Sequence, residues 1–168
     1  MKPIATILVA LLAASCSTVS TSAEYDRSRD FSHFHTWAWG PSGGASSPQV
    51  EQKIRDVIDA QLSKKGLVRV DGAADLEVRY RAAVAEAPLV QVWGTSYGGR
   101  WSGVEPDTHL LSALVGSVVV EVFDAQSRQL AWRGVGTGDL TANATLEERA
   151  RTIDSGAAQM FAQFPAGR

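Results

Sequence analysis

Ser117-Val118-Val119-Val120-Glu121-Val122-Phe123-Asp124 places Val118, Val120 and Val122 on one face and Val119, Glu121 and Phe123 on the other. β-Branched residues at a period of two predict a half-buried strand. Ala125 to Arg128 reads as a turn and Gln129 to Gly138 as the antiparallel partner, so the pair is a hairpin. Within it, Asp124 is expected to make the turn by accepting from amides two residues on. Trp132 is expected in the core and Arg133 in solvent, with stacking of the Trp132 indole against the Arg133 guanidinium as the other reading.

Upstream of the hairpin, Phe34 to Trp39 alternates, with Phe34, Thr36 and Ala38 opposite His35, Trp37 and Trp39, and reads as a strand. Gly40 to Ser47 is a Gly/Ser/Pro loop. Ser47-Pro48 then opens a helix, with Ser as N-cap and Pro at the first helical position. Val50, Ile54, Val57, Ile58 and Leu62 form one helical face, Lys64 and Lys65 suit the C-terminal end of the dipole, and Gly66 stops the helix. Leu67 to Val70 and Leu76 to Ala82 read as strands around a turn at Asp71-Gly72.

Downstream, Thr145 and Glu148 have the spacing of a capping box. Leu146, Ala150, Ile153, Ala157, Met160 and Phe164 follow as an apolar stripe, and Pro165 ends the helix. Strands grouped between two framing helices predict an α+β fold, a mostly antiparallel sheet with two helices packed on one face.

The composition suits a globular chain: of 168 residues, 45% are hydrophobic and 20% charged, with a net charge of −2. A polytopic membrane protein and a fully disordered chain are excluded. A weakly acidic balance does not suit a phosphate backbone, so no nucleic-acid partner is expected. A single cysteine excludes an intrachain disulfide and a CxxC motif.

That cysteine closes a distinctive N-terminus. Lys2 is a basic start, and Ile4 to Ala14 is uncharged and mostly apolar, shorter than the roughly 20 residues a membrane span needs. It has the size of a signal-peptide core. Ala13, Ala14 and Ser15 lead directly to Cys16, which resembles a bacterial lipobox, with Ala13 in place of the commoner Leu. Cys16 is therefore the expected lipid-attachment residue, carrying palmitate-type acyl chains, and the partner is a membrane. Ser17, where an Asp would retain a Gram-negative lipoprotein in the inner membrane, implies outer-membrane sorting. An ordinary secretory peptide with Cys16 incidental is the other reading. Residues 1–15 are expected as signal peptide and 16–24 as acylated cysteine and tether, or a tether running into a first edge strand. Residues 25–168 are expected as a single α+β domain.

The order of these segments is similar to that of one bacterial lipoprotein family, catalogued as domain of unknown function 4136. The shared elements are Tyr25-Asp26, Asp30 to Trp39, Lys64-Lys65-Gly66-Leu67, Ala74 to Tyr80, Gly116 to Ala125, Leu130-Ala131-Trp132-Arg133-Gly134 and Phe164-Pro165. The resemblance spans roughly Tyr25 to Pro165 and implies an envelope lipoprotein of α+β fold. It implies no activity and supplies no catalytic residues.

Pro88 to Asp107 reads as irregular, either a long aromatic loop or a mobile hairpin. Trp93, Tyr97 and Trp101 stand there among Gly94, Gly98, Gly99 and Gly103, with Arg100 between. Family members carry a Gly/Tyr/Trp-rich insert at this place. Trp93, Tyr97, Arg100 and Trp101 are the candidate partner-binding residues, suited to an envelope protein or a glycan. The other reading has the rings folded back over the open face of the sheet.

Other chemistry finds less support. His33 and His35 would share a strand face and could both reach a metal, but His109 is the only further histidine and no second cysteine exists. No metal or cofactor is expected. No Gly-x-Ser-x-Gly elbow is present. Glu147-Glu148 sits in a first helical turn, where the dipole favours acids, and does not form a glycosidase pair. No catalytic residue is assigned. The resulting expectation is a periplasm-facing outer-membrane lipoprotein with a non-enzymatic binding or scaffolding role. An envelope enzyme acting on peptidoglycan or another glycan is the alternative.

Overall fold

The computed structural model describes residues 19–92, 108–140 and 143–165. In chain order the elements are β1 (Val19–Tyr25), β2 (Thr36–Trp39), α1 (Pro48–Lys64), β3 (Val68–Arg69), β4 (Leu76–Val92), β5 (Thr108–Asp124), β6 (Leu130–Leu140) and α2 (Leu146–Ala162). One sheet runs β1-β6-β5-β4-β2-β3. Its first four strands are antiparallel, and β2 lies parallel to both β3 and β4. This is the expected α+β class.

Both helices form where their end signals stand. The Ser47 side chain accepts from the Val50 amide at 3.3 Å, Pro48 opens α1, and Gly66 takes a positive φ of 85° after it. At α2 the box is closed in both directions: Glu148 N donates to Thr145 Oγ1 at 3.2 Å, and Thr145 N donates to Glu148 Oε2 at 2.8 Å. Both helices pack on the same sheet face. There Trp37, Leu76, Val78, Tyr80, Val120, Val122 and Trp132 are fully buried beneath Ile54, Ile58, Leu62, Met160 and Phe161. Phe161, absent from the expected stripe, is buried, and Leu146, included in it, is 64% exposed because the first turn of α2 stands clear of the core. Ile153 is partly buried.

At one end of the sandwich, Trp132, Phe161, Phe164 and Phe31 pack ring against ring at centroid separations between 5.2 and 6.0 Å. The opposite sheet face carries charge: Arg79 stacks over Phe123 and pairs with Glu77, and Arg133 faces Glu121 at 4.0 Å. A mixed face of this kind is stable against water, as antiparallel sheets allow.

Two expectations change, and one pairing left open is decided. The strand read from Phe34 begins at Thr36, because Phe34 N bonds back to Phe31 O in a turn. The segments around Asp71-Gly72 do not pair with each other; β2 lies between them, and residues 70–75 carry the chain across it. Pro88 to Val92, read as irregular, continues β4 opposite Thr108 to Ser112. Pro88 is tolerated there because no strand flanks that edge of β4 among the described residues. The Ser/Thr-rich run is strand from Val19 onward, the edge-strand form of the two readings for that segment.

Candidate functional site

A groove opens between the sheet and the helices, and its origin is a set of missing side chains. Register places Gly116 of β5 opposite Gly138 of β6, and Gly138 opposite Val19 of β1. Gly136 lies on the same face of β6, two residues along. Leu140 reaches over Gly116, where an added Cβ would lie 3.0 Å from its Cδ1, while Gly136 and Gly138 leave the sheet floor bare beneath α2, which itself presents Gly156 and Ala157, both buried. About 120 Å³ is left between this floor and Ile54, Ile58 and Met160. Val19, Val84, Leu140 and Thr152 also line the groove, and Val84 is 50% exposed.

Not every glycine of β6 contributes space. Gly134 is covered by the Trp132 ring and Met160, which occupy the place of its missing side chain. At Gly136 the nearest atom to an added Cβ would be Val118 O at 4.0 Å, so that position faces the groove. Gly156 instead lets α2 approach β1: a Cβ there would lie 3.1 Å from Val19 Cγ1. The groove offers apolar contact and no charged group.

Several charged groups among the described residues are engaged elsewhere in the fold. Asp75 Oδ2 accepts from His35 N, Thr36 N and Thr36 Oγ1 at 2.8 to 2.9 Å, which fixes the start of β2. Those bonds, the His35 amide first, lower its pKa against a small desolvation effect. Asp124 makes the expected turn, accepting from Gln126 N and Ser127 N, and also pairs with Arg29 at 2.9 Å. The Ser127 amide is the main cause of its lowered pKa. Arg29 also reaches Gln129, so the loop after β1 is tied to the β5–β6 turn.

A second polar cluster lies over the inner face at α1. The Arg55 guanidinium sits 4.9 Å from the Trp39 ring centroid and 5.4 Å from that of Tyr80, and it bonds Glu51 at 3.3 Å. Burial, and next the Glu51 carboxylate, raise the Tyr80 pKa, so this fully buried phenol stays neutral. The cluster seals one flank of the core.

His33 and His35 are exposed and precede β2; His33 packs on Phe34 at 4.1 Å, and the two do not share a strand face. Among the described residues no group of three or more His, Cys, Asp or Glu could hold a metal. Trp132 is buried and Arg133 exposed, as expected. Cys16, Trp93, Tyr97, Arg100 and Trp101 lie outside the described residues. The last four fall in sequence between Val92 and Thr108. The β4–β5 ladder that flanks them runs from Ala87 opposite Ala113 to Val92 opposite Thr108, past the last β5–β6 pair at Leu114. This ribbon extends roughly 20 Å at strand rise. Among the described residues no helix is long and apolar enough to cross a membrane.

A family model described as domain of unknown function (DUF4136) matches residues 21–166. Among curated protein sequences none matches significantly. Two solved structures of PelC dodecamers from Paraburkholderia phytofirmans, one of them a point variant, are similar in fold. The variant superposes with a TM-score of 0.53 at 12% identity, covering 84% of this chain and 93% of that one. The other gives 0.52 at 11% identity over 84% and 94%. A PDZ domain protein from Parabacteroides distasonis gives 0.54 at 17% identity, over 90% of this chain and 37% of that one. At these identities the likeness is one of fold.

Proposed function

This chain belongs to the DUF4136 family, and on that premise we propose that it is an outer-membrane lipoprotein facing the periplasm, with a binding or scaffolding role that involves no catalysis. The observation that carries the reading is the groove: its floor is glycine and its walls are apolar. Such a recess suits a hydrocarbon chain or an apolar side chain. Catalysis instead needs acids, bases or nucleophiles converging on one point. The described carboxylates with lowered pKa, Asp26, Asp30, Asp75, Asp124 and Glu148, are committed to turns, strand starts and caps.

Attachment through a lipid on Cys16 is supported by the lipobox-like run that precedes it, and the outer membrane by Ser17. Trp93, Tyr97, Arg100 and Trp101 are the proposed contacts to an envelope protein or glycan, since a two-stranded ribbon separates them in sequence from the body of the sheet. PelC, which shares the fold, forms dodecamers, so self-assembly is the first scaffold to look for.

The test is Cys16→Ala. Wild type should take up radioactive fatty acid and sediment with outer membranes; the variant should take up none and be lost from the outer-membrane fraction. Equal labelling of the two would end the lipoprotein reading.

A further inference from the structure

We propose that the groove is a berth for one acyl chain of the lipid on Cys16, so that the domain can sheathe part of its own anchor. This rests on the lipoprotein reading above and adds an intramolecular site to it. Three observations carry it.

The first is chemical. The groove combines the glycine floor with Ile54, Ile58 and Met160, and it holds no charged side chain to pair with a headgroup or an ionised ligand. The second is size. About 120 Å³ is close to the volume of apolar protein cavities that stay dry and accept a benzene-sized hydrocarbon. A run of methylenes from one acyl chain matches that volume; a whole phospholipid does not. The third is position. Val19, the first residue of β1, lines the groove and contacts α2 at Gly156. Cys16 precedes Val19 by three residues, a reach of at most about 11 Å in extended chain. A lipid held there starts within one chain length of the groove, whereas a free lipid would have to find it by diffusion.

The acyl chain then has two alternative seats, bilayer and groove. The acyl chain is out of water in either seat, so the driving force is the apolar lining of the groove, which only occupancy removes from water.

The experiment uses the full chain expressed in a Gram-negative host fed a diazirine-bearing palmitate analogue. After irradiation of the membranes, crosslinked peptides are mapped by mass spectrometry, and the intact mass reports acylation independently. Crosslinks within the same chain to Thr152–Met160 or Gly136–Leu140 support the proposal. Gly136→Val fills the groove floor, and it should lower those crosslinks severalfold by taking the space that the methylenes would occupy. Circular dichroism checks its fold; should it not fold, the wild-type map alone decides. An acylated wild type whose label reacts only with lipid, with another protein or with a different face of the domain overturns the berth and leaves the lipoprotein reading standing. An unacylated wild type overturns both.

Discussion

Trp132 and Gly134, two residues apart on β6, share one space: a Cβ on Gly134 would lie 2.2 Å from Cη2 of the Trp132 ring and 2.5 Å from Met160 Cγ. The ring is fully buried and cannot retreat toward solvent. Gly134→Ala is therefore expected to destabilise by about 1–3 kcal/mol through overpacking. Urea unfolding measures it, and an unchanged midpoint would show that Met160 can move aside freely.

Ile58 is 1% exposed, at the centre of the α1 face that covers the sheet. Ile58→Ala should cost roughly 2–5 kcal/mol, from lost transfer energy and the cavity left behind. A loss below about 0.5 kcal/mol would contradict the packing of α1 on the sheet.

Asp75 predicts a pH effect. Its folded pKa lies below its unfolded value, so its contribution is present above the unfolded pKa and is lost as pH falls through the folded one. Asp75→Ala leaves the His35 and Thr36 amides without their acceptor and should cost about 1–3 kcal/mol at neutral pH. That gap between wild type and variant should shrink as pH falls below about 4, the ordinary range of an Asp carboxyl. Unfolding midpoints from pH 7 downward read it; a gap that ignores pH counts against the carboxylate as the acceptor.

Trp93→Ala with Trp101→Ala tests the proposed partner contacts. The double variant should keep its melting temperature and lose partner recovery in an envelope pull-down. Rings folded over the sheet would instead give a loss of about 3–5 kcal/mol for a buried Trp, and that outcome removes the binding role.

Local signals were readable in the chain and nonlocal ones were not. Ser47-Pro48, Thr145 with Glu148, and the alternation of Ser117 to Asp124 each act over a few residues, and each stands where the structure has it. The parallel placement of β2 between β3 and β4 depends on α1 carrying the chain over, and nothing near Thr36 or Val68 announces it. Asp71-Gly72 bends the chain in either topology, so it does not say whether the flanking strands pair. Pro88 spoke against a strand because its one tolerant position, an unflanked edge, is a property of the sheet. The groove was hidden for a related reason. Gly116, Gly136 and Gly138 each look like a weak point in a strand, and they become a floor only when register sets them side by side. Phe161 was overlooked because Phe164, beyond the end of α2, shares its aromatic cluster and seemed to continue the stripe.

The pairing of β1 also governs when the fold can be completed. Val19 lies opposite Gly138 and Tyr25 opposite Trp132, and among the described residues β6 is the only strand that pairs with β1. On a chain that emerges amino end first, the earliest strand to appear must wait for nearly the last. Until residues 130–140 arrive, its backbone donors and acceptors are open to any other edge strand nearby, the condition in which strands pair wrongly. Its composition meets that interval: Val19-Ser20-Thr21-Ser22-Ala23-Glu24-Tyr25 is small and polar, and so makes a poor seed for aggregation while it waits.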